Sequence, residues 1–129
     1  MDQEKSEPIV LWVGIDPYRF PGYRDASRLM DVVERAVDRF PPGTVELWLF
    51  GPDDDLDIEL TRRLSARRWR CVMIGQGVRV GVVPTETFER IVNLIRLHAP
   101  DAAIAFNESI YDGREAASRW VDELAMKNT

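Results

Sequence analysis

Short continuous apolar runs alternate along the chain with longer stretches in which apolar residues recur every three or four positions. Ile9–Ile15 is the first run, too short for a typical helix and rich in β-formers. A strand buried on both faces of a parallel sheet has this character. After a loop rich in proline and glycine, the segment from about Asp25 to Phe40 sets Leu29, Val33, Ala36, Val37 and Phe40 on one helical stripe. Pro41-Pro42-Gly43 ends it. Val45–Phe50 predicts a second strand, and Glu46 within it implies a partly wet face and an edge position. Leu56, Leu60 and Leu64 predict a helix over about Leu56 to Arg68, and Cys71–Ile74 a third strand. From about Thr85, Phe88, Ile91, Val92 and Ile95 share the face of a further helix that closes at His98-Ala99-Pro100. Ala102–Phe106 reads as the fourth strand, and Asp112 is placed to cap a last helix carrying Ala116, Ala117, Trp120, Val121 and Leu124. Val78–Val83 reads as an extended loop.

Repeated strand–helix units imply a parallel sheet with right-handed crossovers. The expected fold is therefore α/β, a flavodoxin-like or Rossmann-like three-layer sandwich of about four strands with helices on both faces. The uncharged first and third strands belong in the interior, which gives the order 2-1-3-4. A single domain is expected over residues 9–126, with short tails at 1–8 and 127–129.

Composition narrows the function classes. The 129 residues carry 17 basic and 22 acidic side chains, a net charge of −5 that repels phosphate backbones and argues against general nucleic-acid binding. Arg62, Arg63, Arg67, Arg68 and Arg70, interleaved with Trp69, are the one basic concentration, and a helix's last turns attract cations through the dipole alone. No run approaches the roughly 18 apolar residues that span a bilayer, and polar Met1–Pro8 does not resemble a secretory leader. The lone Cys71 cannot form an internal disulfide. A cytoplasmic location is the expectation.

In such sheets ligands bind beyond the carboxyl ends of the strands, where the winding direction reverses. The order 2-1-3-4 puts that crevice between the first and third strands, facing the loops Asp16–Tyr23 and Gly75–Arg79, with Asn107–Asp112 next door. Gly75-Gln76-Gly77, read with Gly81, superficially resembles a dinucleotide fingerprint. That motif must open a helix at once, whereas Val78, Val80, Val82, Val83 and Pro84 follow here. A tight turn needing positive φ is the plainer account, and no cofactor is expected. The turn's amides could still hold a small anion with Arg79 as a fork of donors. Asp16 is an acid/base candidate or the cap of its own Asp-Pro turn. Asn107 either orients a ligand or closes its loop. Asp53-Asp54-Asp55, with Asp57 and Glu59, could assist Mg²⁺ or complement the start of a helix. His98 and Cys71 fall at the opposite rim, away from the crevice.

Gly14-Ile15-Asp16-Pro17, Phe20-Pro21-Gly22, Ile74–Arg79, Phe88-Glu89-Arg90, His98-Ala99-Pro100, Phe106-Asn107 and Arg119-Trp120 together resemble a group of small uncharacterised bacterial proteins. In that group the third-strand phrase reads like Ile-Gly-Ala-Gly-Val-Arg and the fourth like Cys-Phe-Asn. The likeness runs from Val10 to about Trp120, and departs at Gln76, at Ala105 and in a shorter loop before Phe20. It implies the fold and the choice of loops, and no reaction.

Two functions are compatible with these residues. The first is a small-molecule site for a ligand expected to be anionic, formed by Asp16, Arg19, Gly75, Gln76, Gly77, Arg79 and Asn107. Were it an enzyme, cofactor-independent proton transfer or hydrolysis would suit it best. The second is a non-catalytic homo-oligomeric or accessory interaction domain, using exposed faces near Trp69 or Trp120.

Overall fold

All four apolar runs are strands of one parallel sheet: β1 (Val10–Ile15), β2 (Val45–Phe50), β3 (Cys71–Ile74) and β4 (Ala103–Phe106), in the order β2-β1-β3-β4. The computed structural model describes residues 7–124, so most of the expected first tail, all of the second and the last two residues of the expected domain lie outside the described residues. Val10 stands between Val45 on one side and Cys71 on the other, and Val13 between Trp48 and Ile74. β1 and β3 are buried along their whole lengths, as strands without charge must be when helices cover both faces. β2, which carries Glu46, lies at an edge.

The helices are α1 (Ala26–Asp38), α2 (Leu56–Ser65), α3 (Gln76–Arg79), α4 (Thr85–His98) and α5 (Gly113–Ser118), followed by a 3₁₀ turn at Asp122–Leu124. Asp25 and Asp55 start α1 and α2 by accepting from the backbone N–H of Arg28 and Ile58 at 3.1 and 3.2 Å. Because strand side chains alternate, two cores form. Leu11, Val13, Val72 and Ile74 meet Leu60, Leu64, Ile91 and Ile95 of α2 and α4 on one face. On the other, Val10, Trp12, Met73 and Ala105 meet Ala36 of α1 and Ala116 and Ala117 of α5. The result is a three-layer sandwich.

Several local expectations are corrected. Val78–Val83 is not wholly extended, because α3 makes one helical turn directly after β3, with Val80 N–H donating to Gln76 O at 2.9 Å. That turn buries Val78 against the α2/α4 core while Val80 stays 60% exposed. Gly75 and Gly77 do not use positive φ: Gly75 sits at −65°, and the left-handed residue of this segment is Gly81, at +128°. α2 stops at Ser65, not Arg68, so of the arginine cluster only Arg62 and Arg63 occupy its last turn. The chain turns inward there to bury Trp69, whose indole N–H donates to Arg63 O at 2.9 Å. Trp69 is therefore core and not part of an exposed face. The last helix is shorter than expected and gives way to the 3₁₀ turn, leaving Trp120 on the surface.

Candidate functional site

From β1 the chain crosses to β2, whereas from β3 it crosses to β4, so winding reverses between the carboxyl ends of β1 and β3. On the α1/α5 side of this point lies a cavity of about 250 Å³. Leu29 and Val33 of α1, Leu49 of β2, Pro17 and Tyr23 of the β1–α1 loop, and Ile110 of the β4–α5 loop form its walls. Trp12, Gly14, Ile15, Gly75, Gln76, Gly77, Val80 and Asn107 complete the lining.

The sequence makes this space by omission. On the α1/α5 face, Trp12 is followed by Gly14 and Met73 by Gly75, so two adjacent chains lose their side chains at the same level. A Cβ on Gly75 would stand 3.1 Å from Trp12 Nε1 and 3.3 Å from Val13 O; one on Gly14 would stand 3.0 Å from Leu49 Cδ2. Glycine in a strand often marks such a close approach. At the other end of the indole, a Cβ on Gly113 would come within 2.9 Å of two Trp12 ring carbons. α5 therefore rests on the six-membered ring, and the Nε1 edge faces the gap over the two glycines.

Four neutral polar side chains line this cavity. Asn107 is 1% exposed, and its Oδ1 has no hydrogen-bond partner among the described residues. Buried polar atoms are rarely left so, since an unmade hydrogen bond costs about 1–3 kcal/mol. The Trp12 indole N–H donates to no acceptor among the described residues, in contrast to that of Trp69. The Tyr23 hydroxyl lies near Gly77 and Gly81, and burial raises its pKa. Gln76 is tied to the neighbouring loop, its Nε2 donating to Glu108 O at 2.8 Å. Asp112 holds that loop in turn, accepting from the N–H groups of Glu108 and Ser109.

Of the residues expected to form the site, Gly75, Gln76, Gly77 and Asn107 line the cavity; Asp16, Arg19 and Arg79 do not. The Asp16 carboxylate accepts from Tyr18 N–H at 2.9 Å and from Arg19 Nε at 3.1 Å, which is the turn-capping arrangement. Arg19 also makes a two-point contact with Asp54, at 3.0 and 2.9 Å, and lies flat against Gly51. That guanidinium, with the N–H of Gly51, holds the Asp54 carboxyl below its ordinary pKa. Arg79 Nη2 donates to the main-chain oxygen of Asn107 at 2.5 Å, and its guanidinium stacks 5.4 Å from the Phe106 ring centre. It fastens α3 to the end of β4 on the side away from the cavity.

Among the acidic residues considered for Mg²⁺, Asp55 caps α2, Asp54 pairs with Arg19, and Asp53 is largely exposed. Among the described residues no three or more His, Cys, Asp or Glu side chains are grouped to hold a metal ion. His98 ends α4 at the rim where β4 begins. Cys71 is wholly buried at the start of β3, and desolvation pushes its thiol up to about 12.

Trp12, Tyr23, Leu29, Val33 and Ile110 belong to the cavity although the sequence named none of them as site residues, Leu29 and Val33 being read only as part of a helical stripe. For Trp12 the available signal was its period-two alignment with Gly14, matched by that of Ala105 with Asn107. No helix is long and apolar enough to cross a membrane among the described residues. Compared with known proteins, the chain matches no family model, no curated protein and no solved structure.

Proposed function

We propose that this protein binds a small molecule in the cavity between the carboxyl ends of β1 and β3. The observation that carries the reading is the buried amide of Asn107, which lines the cavity and whose Oδ1 has no hydrogen-bond partner among the described residues. A polar atom held at such a cost is accounted for when a ligand supplies its partner. The remaining features agree: a largely apolar lining, a few convergent polar groups, and the winding reversal at which ligands of open α/β sheets bind. Among the described residues no carboxylate, histidine, cysteine, lysine or arginine lines the cavity, so binding has more support than acid–base turnover at Asp16 or anion capture by Arg79. The buried free thiol of Cys71 suits a reducing, cytoplasmic setting.

A thermal-shift fragment screen on wild type and Asn107→Leu tests this reading. A fragment held at ten times its dissociation constant adds about 1.4 kcal/mol of stability. Hits on the wild type that fail on Asn107→Leu are the expected result. Hits that stabilise both proteins equally, or no hits in a broad library, would count against it.

A further inference from the structure

The lining of the cavity selects ligands by charge and by shape. Among the described residues no charged side chain lines it. The charged residues of the neighbouring loops are engaged elsewhere: Asp16 with Arg19, Arg19 with Asp54, and Arg79 with Asn107 O and the Phe106 ring. An ion entering this space would give up its water without meeting a counter-charge, the costliest form of burial. An apolar body pays no such penalty and gains from leaving water. The polar points of the lining are uncharged, and burial raises the pKa of Tyr23 and so keeps its hydroxyl neutral. The approach is apolar too. Val80, part of the lining, is 60% exposed, and the loops that supply Pro17 and Ile110 also carry Tyr18 and Tyr111, 63% and 65% exposed.

Shape follows from the missing side chains. The floor at Gly14 and Gly75 is bare backbone of two adjacent strands, and Leu29 and Val33 of α1 form the wall across from it, which leaves a slot suited to a flat body. Its volume is about 250 Å³. A dry apolar cavity of roughly 150 Å³ holds one benzene. The slot therefore has room for one ring with a short substituent, or for two fused rings.

We infer that the cavity takes an uncharged, largely apolar aromatic molecule of one or two rings and rejects ions of the same size. This rests on the small-molecule reading above and specifies the ligand class for the same site. It departs from the anionic ligand expected from Arg79, since Arg79 is engaged by Asn107 O and Phe106 outside the lining.

Four probes separate the possibilities. Acetophenone and benzoate share one shape and differ by a charge, indole supplies two fused rings, and inositol is neutral but polar all round. Each is titrated at millimolar concentration into isotope-labelled protein, read at the Trp12 indole N–H and the Gly75 backbone N–H. Acetophenone and indole are expected to shift both signals, with benzoate about tenfold weaker or more and inositol silent. Val33→Phe fills the slot with a ring of the protein's own and should weaken indole about tenfold or more. Leu29→Phe, one turn away on α1, takes its place if that variant does not fold, and the wild-type comparison decides if neither does. Benzoate binding as tightly as acetophenone, or inositol moving both signals, would overturn the inference and leave the small-molecule site standing. So would indole binding that a folded Val33→Phe or Leu29→Phe does not weaken. If no probe moves either signal, while a broader fragment library does, the inference again fails alone. If that library is also silent, the site itself is refuted.

Discussion

Two sides of the β1 carboxyl end treat their polar groups in opposite ways. Toward α2, the rim is charged and closed upon itself: Arg19 joins Asp16 and Asp54, Asp54 takes the N–H of Gly51, and Arg90 reaches Asp57. Toward α1 and α5 the rim is neutral and incomplete: Trp12 and Asn107 line a cavity, and neither the Trp12 indole N–H nor Asn107 Oδ1 has a partner among the described residues. A second cleft, of about 390 Å³, opens on the charged side, but its charged residues Asp54 and Arg90 already have partners. Volume and charge density would favour the charged side. The inventory of unmade hydrogen bonds favours the other. Charges on this rim fix loops, and on the proposed reading the neutral groups serve a ligand.

Substitutions can break this contrast, beginning with the largest effect. Gly113→Ala drives a Cβ to 2.9 Å from the Trp12 ring, and a buried indole between α5 and β3 has little room to give. Overpacking should cost about 1–3 kcal/mol, exceeding the ~1 kcal/mol an alanine gains in a helix. A denaturant melt checks this, and undiminished stability would show that Trp12 is not pinned over the cavity. Asn107→Leu is sharper because two quantities move apart. Binding should fall about tenfold or more, while stability holds or rises by up to about 1 kcal/mol as an unsatisfied polar atom leaves the interior. Lost stability and unchanged binding would reverse the assignment, making Asn107 a structural residue.

On the charged side the expected effects are smaller. Arg79→Ala removes a bond to Asn107 O and a ring contact from an exposed side chain, which should cost under ~1 kcal/mol. Fragment binding should change by less than about twofold, since Arg79 lies outside the lining. A large loss of affinity would return the anionic ligand to favour. The weakest effect belongs to pH. Asp54's pKa is lowered by Arg19, so the pair contributes its stability above the ordinary carboxylate value of ~4 and loses it as pH falls through the depressed value. Solvent screens the pair, and the contribution should stay below ~1 kcal/mol. Arg19→Ala should flatten that acid-side slope in urea melts without altering ligand binding; an unchanged slope would exclude the pair as its source.

The contrast also explains what could be read from the sequence. Uncharged β1 and β3 and Glu46 in β2 were enough to order the sheet, because burial on both faces excludes charge. The loops at the winding reversal followed from that order. Within them, Asp16, Arg19 and Arg79 drew attention as charged residues, yet their partners are Tyr18 N–H, Asp54 and Asn107 O. Such pairings between distant loops depend on the folded geometry and leave no local pattern. Asn107 was legible as a loop residue, but its unsatisfied Oδ1 is a property of its surroundings. α3 escaped notice because a β-branched run after Gly77 has strand character, while burial of Val78 decides for one helical turn. Trp12 read as a core residue, which it is. Only the missing side chains at Gly14 and Gly75 open a cavity at its N–H edge.

Hydrogen exchange at the tryptophan indole N–H groups, measured with and without a cavity ligand, tests the central claim most directly. In the free protein, Trp12 should exchange much faster than Trp69, whose N–H is bonded to Arg63 O and buried. A bound ligand should slow Trp12 and leave Trp69 unchanged. Equal protection of the two indoles in the free protein, or a ligand that leaves Trp12 exchange untouched, would contradict the account.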